Sequence, residues 1–563
     1  MNLRVTFSAF ALVSVLGHAW IMPGALAETR PALPDIPDIG CLTASGATSH
    51  ALIRVPAGGD FQHAINAAKP GDTILLEAGA VFTGRFTFPH KQGFGCIIVR
   101  SSAPDSALPA AGERTDPSYA PAMPKIVPLP GAPLSFAPGS HHYLIMHVEI
   151  HPTTYVDTLV EVGTGRENTL NLLPHHIEFD RVYIHGHPTQ GTKRGIGLQG
   201  AAVTVKNSYI ADIKTNGLDT QAICGWNGSG PFRITNNYLE AAGENVMFGG
   251  ADPWIQDLVP SDIEIRKNTF AKPLAWRQGD PHYAGVIYTI KNLLEFKNAR
   301  RVLIDGNVFE NVWPHAQAGF AVLFTPKNDQ GTCTWCTVED MTMTSNVVRQ
   351  AAQGISVTAF GWPNPTRQAS RILIQNNLFQ NIGAFFEGHP AYLFQIITSP
   401  QDLIIKNNTA FHSGRIIYVE TGPIYGFVFD DNVTNFGVLG INGAGGGGGT
   451  GTLEMFFPGY DFRKNVIIGV PGNLQVKYPS NNFYPASNTD VGFVDAANGN
   501  YRLSASSPYK KAGTNSKDPG VDFDQLTASQ GIGPILTNTV NQSVGPNIRT
   551  QRLGSEQEEA SVR

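Results

Sequence analysis

The chain has 563 residues, of which 42% are hydrophobic and only 15% are charged, so it can bury a large core. Its 60 glycines and 39 prolines favour many turns over long helices. The formal net charge of −5 gives no basic surface of the kind that nucleic-acid-binding proteins use, so no nucleic-acid partner is expected.

The N-terminal residues predict export. Arg4 precedes an apolar stretch from Val5 to Leu16, and Ala25-Leu26-Ala27 is a small-x-small cleavage site. We therefore expect residues 1–27 to be a signal peptide and the mature protein to be secreted or periplasmic. No later apolar run is long enough to span a bilayer.

A proline-rich leader and a short helix follow. Residues 28–55 are expected to be extended, and residues 59–89 predict an amphipathic helix followed by a strand. Asp60 can cap the helix, and Pro70-Gly71 ends it. The apolar face of this helix consists of Phe61, Ala64, Ile65 and Ala68.

An asparagine recurs nine times between short β-branched or aliphatic runs. The nine asparagines are Asn207, Asn237, Asn268, Asn307, Asn346, Asn377, Asn408, Asn432 and Asn465. Their spacing of 24 to 39 residues indicates a solenoid, a propeller or another repeat array. Asparagine tolerates turn conformations, but nine such turns in register favour a ladder of amide hydrogen bonds between stacked coils.

The variable spacing suits coils of parallel strands whose turns accept loops of different length. Neither the Trp-Asp markers of propeller blades nor a regular leucine pattern is visible. The repeat, the helix at 59–89 and the segment at 492–526 resemble the right-handed parallel β-helix, or pectin-lyase-like, superfamily. Residues 236–253, 262–276 and 290–313 also resemble a group of secreted bacterial β-helix repeat proteins.

The resemblance implies an all-β fold, a single-stranded right-handed parallel β-helix solenoid with an N-terminal capping helix. The expected boundaries are 56–540 for this domain and 541–563 for a flexible polar tail. The segment at 492–526 resembles a closing coil, and a monomer is expected. The superfamily is rich in enzymes that act on acidic polysaccharides, although fold alone does not give function.

Five cysteines leave at least one thiol unpaired. Cys333 and Cys336 can form a local disulfide or remain two thiols, and no second cysteine pair completes a zinc site. Cys41 with Cys96 could staple the N-terminal cap, which would leave Cys224 as a buried thiol.

Strand alternation selects the candidate site. In Leu294-Glu295-Phe296-Lys297 the apolar residues can enter the core while Glu295 and Lys297 point outward. One coil earlier the same region holds Glu244-Asn245, and another coil earlier it holds Asp219. We expect Glu295, Glu244 or Asn245, and Asp219 or Gln221 to form a polar stripe, because stacked strands lie about 4.8 Å apart.

Lys291 and Arg266 are expected to flank this stripe. Exposed aromatic rings can stack on sugar faces, and Trp276 and Trp313 are among the candidates, although buried aromatics serve packing equally well. The alternative interpretation is an ordinary solvated face with ion pairs such as Glu295 with Lys297.

Two reactions fit these residue types. Elimination on a uronate needs a base and a cation, and Lys297 or Lys291 could be the base, with a second cation or a calcium held by Asp219 and Glu244. Hydrolysis needs two carboxyl groups at set distances. The paired-aspartate and Gly-His-Gly pattern of polygalacturonase-like hydrolases is not evident, so a polysaccharide lyase is the main hypothesis. A non-catalytic extracellular glycan-binding protein is the alternative from another class.

Overall fold

The computed structural model describes residues 28–37, 39–41, 49–129, 131–385 and 390–531. The expected signal peptide and the expected polar tail from 541 lie outside these residues. Within them the chain winds through three long parallel sheets of 14, 13 and 12 strands. Each coil adds one strand to sheet 1, one to sheet 2 and one to sheet 3, in that order. The predicted all-β parallel β-helix is therefore confirmed.

Parallel pairing joins each strand to its counterpart one coil away. The strands of sheet 1 are Leu52–Val55, Thr73–Leu76, Ile97–Ser101, His141–Met146, His175–Asp180, Ala201–Lys206, Phe232–Thr235, Ser261–Arg266, Ala299–Asp305, Val338–Thr344, Ser370–Gln375, Gln401–Lys406, Val428–Asp430 and Asp461–Arg463. The strands of sheet 2 are Val81–Gly84, Lys125–Pro128, Glu149–Ile150, Tyr183–His185, Tyr209–Ile213, Tyr238–Ala241, Thr269–Ala271, Val308–Val312, Val347–Ala351, Leu378–Ile382, Thr409–His412, Val433–Asn435 and Val466–Ile468. The strands of sheet 3 are Phe86–Phe88, Leu134–Phe136, Val156–Val162, Thr192–Leu198, Gln221–Gly225, Glu244–Phe248, Leu294–Phe296, Phe320–Phe324, Gln353–Thr358, Tyr392–Ile397, Arg415–Val419 and Gly440–Gly443.

The remaining elements are short. Phe493–Asp495 and Asn500–Leu503 form a small antiparallel pair. The α-helices are Phe61–Ala67, Thr450–Phe456, Gly472–Gln475, Asn488–Val491 and Phe523–Gln530. The 3₁₀-helices are Asp105–Ala107, Pro117–Ala122, Leu170–Leu172, Leu274–Trp276, Ala496–Asn498 and Thr514–Ser516. Of the helices in the described residues, none is long and apolar enough to cross a membrane.

One continuous apolar core fills the space between the three sheets. Inward side chains stack coil on coil, as in Phe248, Phe296 and Phe324, whose ring centroids are 5.9 and 6.0 Å apart. Since each coil offers only three short strands, this stacking is what removes its apolar surface from water.

The asparagine ladder lies at the corner between sheet 1 and sheet 2. Asn346 is typical: its Nδ2 donates to Asn377 Oδ1 at 2.9 Å, and its Oδ1 accepts from Asn307 Nδ2 at 2.9 Å. The ladder runs without a break from Asn237 to Asn465, as predicted. It also continues to Asn482, which the repeat pattern missed.

Asn207 is a correction. The ladder position in its coil belongs to Ser208, whose backbone N–H donates to Asn237 Oδ1 at 2.9 Å. Asn207 takes the preceding left-handed position instead, with φ 54°, as Asn236 does one coil later. Asparagine suits both the left-handed position and the ladder position that follows it. The sequence pattern is therefore one residue out of register in this coil.

The N-terminal cap is confirmed. Asp60 accepts from the N–H of His63, and the buried face of the helix contains Phe61, Ala64 and Ile65. The ring of Phe61 packs against the aromatic residues of the first coil, closing that end of the core. Sheet 1 begins at Leu52–Val55, which lies within the segment expected to be an extended leader.

The two terminal segments cover two of the three outer faces. Residues 28–37 lie across sheet 1. Residues 488–530 do not form the expected closing coil in the sheets; they fold back on sheet 2, where Phe523 and Leu526 pack against Val347 and Leu378. Neither of these described segments covers sheet 3.

Both plausible disulfides are present. Cys41 is bonded to Cys96 and Cys333 to Cys336, and Cys224 is a buried free thiol. The bridge joins Cys41 in the leader to Cys96, which directly precedes the strand Ile97–Ser101 of sheet 1.

Candidate functional site

The predicted alternation in the strand Leu294–Phe296 is confirmed. Leu294 and Phe296 are fully buried in the core between the sheets, and Glu295 points to the outer side of sheet 3. Glu295 is nevertheless only 3% exposed, because neighbouring side chains and loops cover it. The expectation of a solvated carboxylate is therefore wrong at this position.

The sheet register sets the stripe. Gln221 is paired with Glu244, and Met247 is paired with Glu295. Glu295 thus lies one coil above Met247 and meets Glu244 on a diagonal. Asp219 precedes the strand at Gln221 and reaches the same face from the bend.

Two lysines join these carboxylates into one cluster. Lys291 Nζ lies 2.5 Å from Asp219 Oδ2 and 3.5 Å from Glu244 Oε1. Lys297 Nζ lies 3.8 Å from Glu295 Oε1. The five predicted catalytic candidates, Asp219, Glu244, Lys291, Glu295 and Lys297, therefore converge on sheet 3.

Two amide side chains also contact the carboxyl groups: Gln221, an alternative member of the predicted stripe, and Asn292, which the sequence analysis missed. Gln221 Nε2 donates to Glu244 Oε2 at 2.8 Å. Asn292 Nδ2 donates to Glu295 Oε2 at 3.2 Å and to Gln317 Oε1 at 2.5 Å. These bonds hold both carboxyl groups in place.

Burial and the carboxyl neighbour shift the proton affinity of Glu295. Burial raises the pKa of Glu295 to about 7; Lys297 opposes this rise, and Glu244 adds to it by repulsion and by a hydrogen bond between the two carboxyl groups. With a pKa of about 7, Glu295 can hold a proton near neutral pH, so it can act as an acid in the cluster.

The lysines remain charged. Burial disfavours the ammonium of Lys291, but the carboxylates of Glu244 and Asp219 outweigh it and raise the pKa above its ordinary value. Burial acts in the same way on Lys297, and there Glu295 and Glu244 outweigh it. Neither lysine is thus suited to be the base, which corrects the role expected from the sequence.

The stem of Lys297 is held by the backbone of the preceding coil. Gly249 has φ 105°, and a Cβ there would lie 2.6 Å from Lys297 Cβ. Only glycine fits this conformation at this distance. Lys297 N also donates to Phe248 O at 2.7 Å, so the lysine is fixed from both sides.

A buried lysine supports the corner that leads into Glu244. Lys272 is fully buried and its Nζ donates to the carbonyls of Ala241, Ala242 and Gly243 and to Asn245 Oδ1, at 2.5 to 3.1 Å. Burial lowers the pKa of Lys272 to about 7. Sequence reasoning missed Lys272, since a lysine after a strand ordinarily faces solvent.

Asn245 is a correction to the predicted substrate-binding set. It is fully buried, and its Nδ2 donates to Leu239 O at 2.7 Å and Ala271 O at 3.0 Å. Asn245 and Val246 are two consecutive inward residues in the strand Glu244–Phe248, as Leu293 and Leu294 are in the next coil. The simple period of two fails at that corner.

Arg266, Trp276 and Trp313 are the other corrections. Arg266 lies on the outer face of sheet 1, where it pairs with Glu264 and Asp305. Trp276 and Trp313 are each 6% exposed and pack in an apolar cluster at the corner between sheet 2 and sheet 3. The contacts described for these three side chains are therefore with residues outside the carboxyl cluster.

Two loop walls border the cluster. On one side the segment 272–292 is attached by the bond from Thr289 N to Thr215 O. On the other side Asp252 accepts from the N–H groups of Asp329, Gln330 and Thr332 at 2.7 to 3.1 Å. The walls leave Lys291 and Lys297 with 13% and 16% of their side chains exposed and Asp219 with 49%.

The residues do not fit the calcium that the sequence suggested. Asp219 and Glu244 hold the ammonium of Lys291 between them. Calcium takes six to eight oxygen ligands, and across the described ranges no group of three or more His, Cys, Asp or Glu side chains is arranged to hold a metal ion.

Comparison with known proteins gives structural matches alone. No protein-family model matches the sequence, and no curated protein matches it. The chain is similar to the PL6 family alginate lyase AlyGC, at 12% identity and TM-score 0.46; the match covers 88% of this chain and 59% of that one, so this chain spans about three-fifths of the AlyGC length.

A mannuronic-acid-specific family 6 polysaccharide lyase from human gut microbiota matches at 11% identity and TM-score 0.38, covering 77% of this chain and 90% of that one. The tailspike protein of E. coli bacteriophage HK620 matches at 11% identity and TM-score 0.38, covering 77% and 75%. The three parallel sheets, with one strand from each sheet in every coil, identify the chain as a parallel β-helix protein.

Proposed function

We propose that this chain is a secreted polysaccharide lyase that acts on an acidic glycan at the outer face of sheet 3. The observation that carries the proposal is the cluster in which Lys291 and Lys297 border the buried carboxyl groups of Glu244 and Glu295. Sheet 3 is also the outer face that neither described terminal segment covers.

The cluster contains the groups that elimination requires. The ammonium groups of Lys291 and Lys297 neutralise the uronate carboxylate and make the neighbouring C–H more acidic. The ionised carboxylate of the Glu244–Glu295 pair takes that proton, the C–H electrons form the new carbon–carbon double bond, and the glycosidic C–O bond breaks. The protonated carboxyl of the pair gives its proton to the leaving oxygen.

The same geometry disfavours hydrolysis. Hydrolytic carboxyl pairs are separated by about 5–5.5 Å for retention or about 6.5–9.5 Å for inversion. The carboxyl groups of Glu244 and Glu295 are within hydrogen-bonding reach of each other, which is closer than either spacing.

Burial favours a second candidate, a non-catalytic glycan-binding protein. Glu244 is fully buried and Glu295 is 3% exposed, so the lysines and Asp219 form the accessible part of the cluster. A glycan carboxylate bound there needs no contact with the buried pair.

The first experiment incubates the purified protein with polymers of mannuronate, guluronate and galacturonate, and with neutral glucans and xylans. Ultraviolet absorbance of unsaturated uronate together with new reducing ends establishes a lyase. Reducing ends without absorbance contradict the lyase and indicate a hydrolase. Bound glycan without either product supports the binding protein.

Variants of the cluster complete the test. We expect Lys297→Ala and Glu295→Gln each to lower kcat/KM by about 100-fold or more, because each removes a group that acts in the transition state. Lys477→Ala, at an exposed position far along the chain, is the matched control and should retain activity. Full activity in both cluster variants would contradict the assignment.

A further inference from the structure

Alternating charges occupy one position of five successive coils on the outer face of sheet 1. In coil order this charged column consists of Asp262, Arg301, Asp340, Arg371 and Asp402. All five have φ between 52° and 60°, so the backbone turns in the same way at the start of each strand. Each arginine therefore meets an aspartate one coil away.

The arginines fix the carboxylates of the column. Arg301 donates to both oxygens of Asp262, each at 2.7 Å. Arg371 donates to the two oxygens of Asp340 at 2.6 and 2.9 Å. Against the raising effect of burial, the arginines lower the pKa of Asp262 and Asp340, so both stay ionised. Each carboxylate oxygen has a further lone-pair direction that can accept a second hydrogen bond.

A segment from the N-terminal leader uses those directions. We call residues 28–37 the strap. The N–H of Ala32 donates to Asp340 Oδ1 at 3.0 Å, and the N–H of Asp35 donates to Asp262 Oδ1 at 3.0 Å. The side chain of Thr29, three residues before Ala32, hydrogen-bonds Asp402. The docking residues are three apart in the strap, and the aspartates are two coils apart in the column.

These two repeats have the same length. Three residues of polyproline II helix rise about 9.3 Å, and two coils at about 4.8 Å each span about 9.6 Å. Pro31, Pro34 and Pro37 also recur every three residues and favour this conformation. None of the prolines falls on a docking residue, where an N–H is needed.

Both ends of the strap are anchored. Glu28 Oε2 lies 2.7 Å from Lys406 Nζ. Beyond the other end, the N–H of Cys41 donates to Glu178 Oε2 at 3.1 Å, and Cys41 is bonded to Cys96. The segment therefore crosses the coils from Lys406 back to Glu178.

We propose that the charged column is a binding surface for a polyproline II segment that presents a main-chain N–H at every third residue, and that the strap occupies it as a clamp. In a solenoid each coil contacts only its neighbours. The strap joins coils that share no hydrogen bond, so it holds the coils between Asp262 and Asp402 as one unit.

Hydrogen exchange of the intact protein tests the docking directly. The amides of Ala32 and Asp35 should exchange at least about tenfold more slowly than those of Leu33 and Ile36, which lie between docking positions. Uniform exchange from Ala32 to Ile36 would overturn the proposal.

A matched pair of variants separates docking from ion pairing. Asp340→Ala removes an acid partner of Arg371 and the acceptor for the strap, whereas Glu339→Ala removes only an acid partner of Arg371. We expect the Ala32 amide to exchange at least about tenfold faster in Asp340→Ala and to be unchanged in Glu339→Ala. Equal effects in the two variants would refute recognition by the column.

A change of register gives a test that does not depend on the stability of any column variant. One glycine inserted between Leu33 and Pro34 leaves Asp35 in place, because the disulfide at Cys41 fixes that end. Counting three residues back from Asp35, the protected amide should move from Ala32 to Leu33. Protection that stays at Ala32, or is lost from both, would contradict a surface that reads every third N–H.

Discussion

Glu295 shows how position in the coil controls the chemistry of one residue. It lies next to the core residue Phe296 in sequence, yet its side chain faces Lys297 on the outer side of the sheet. The sheet register also brings it close to Glu244 of the preceding coil. Its raised pKa makes the stability of the protein depend on pH.

The sign of that dependence is fixed by the shift. The pKa of Glu295 is about 7 in the folded protein and 4.5 ordinarily, so the folded state holds the proton more tightly. The resulting stabilisation is present below pH 4.5 and is lost as the pH rises through 7. Glutamine cannot ionise, so the free energy of unfolding of Glu295→Gln should depend less on pH. Between pH 4.5 and 7 its decrease should be smaller than that of the parent protein by more than about 1 kcal/mol.

Urea unfolding at several pH values measures this difference. Glu454→Gln, at an exposed helical position, should keep the pH dependence of the parent protein. Parallel curves for the parent and Glu295→Gln would show that the buried pair does not couple protonation to folding.

At the scale of the element, the sequence predicts what repeats. The Asn spacing gave the coils, and the capping helix followed from Asp60 and an apolar face at helical period. The outward pair Glu295 and Lys297 followed from strand alternation. These features depend on neighbours close in the chain or on one residue per coil.

Other parts of the site depend on corners, and there the sequence pattern is insufficient. Asn245 turns inward because it and Val246 are two consecutive inward residues beside the corner. Arg266 belongs to another sheet, although it lies close to Lys272 in the chain. Lys272 is buried because three corner carbonyls need a donor, and no local pattern records that need.

The ladder makes a prediction about one element of the corner. Asn346→Ala removes donors to Ile304 O, Thr344 O and Asn377 Oδ1, each at 2.9 Å. Leaving several buried groups without partners should lower the free energy of unfolding by at least about 3 kcal/mol. Asn66→Ala, at an exposed helical position, should change it by less than about 0.5 kcal/mol.

Chemical unfolding of the two variants checks this expectation. A loss in Asn346→Ala no greater than that in Asn66→Ala would mean that water replaces the amide in the ladder.

At the scale of the whole molecule, the three outer faces have different neighbours. The strap crosses sheet 1, residues 488–530 cover part of sheet 2, and the carboxyl cluster lies on sheet 3 between two loop walls. The disulfide between Cys41 and Cys96 anchors the chain that follows the strap to the β-helix.

The two disulfides should differ in their contribution to stability. Cys41–Cys96 closes a separation of 55 residues and Cys333–Cys336 a separation of 3. Loop-closure entropy gives about 4 kcal/mol for the first and about 2 kcal/mol for the second. The double serine variant at 41 and 96 should therefore have the lower thermal midpoint, as measured by calorimetry. The reverse order would show that loop closure does not decide which bridge stabilises the protein more.

The columns of one residue per coil limit how such a chain can change in length. The Asn ladder and the phenylalanine stack are kept when a whole coil is added, because each gains one member. The charged column alternates in sign, so it keeps its pattern when coils are added in pairs. A single residue added inside a strand would displace all three at once. Corners accept length changes more easily. Residues 249–260 connect a strand of sheet 3 to the next strand of sheet 1, whereas in the next coil Lys297 and Asn298 alone make the same connection. Whole coils and corner loops are therefore the units in which this protein can diversify while its core stays intact.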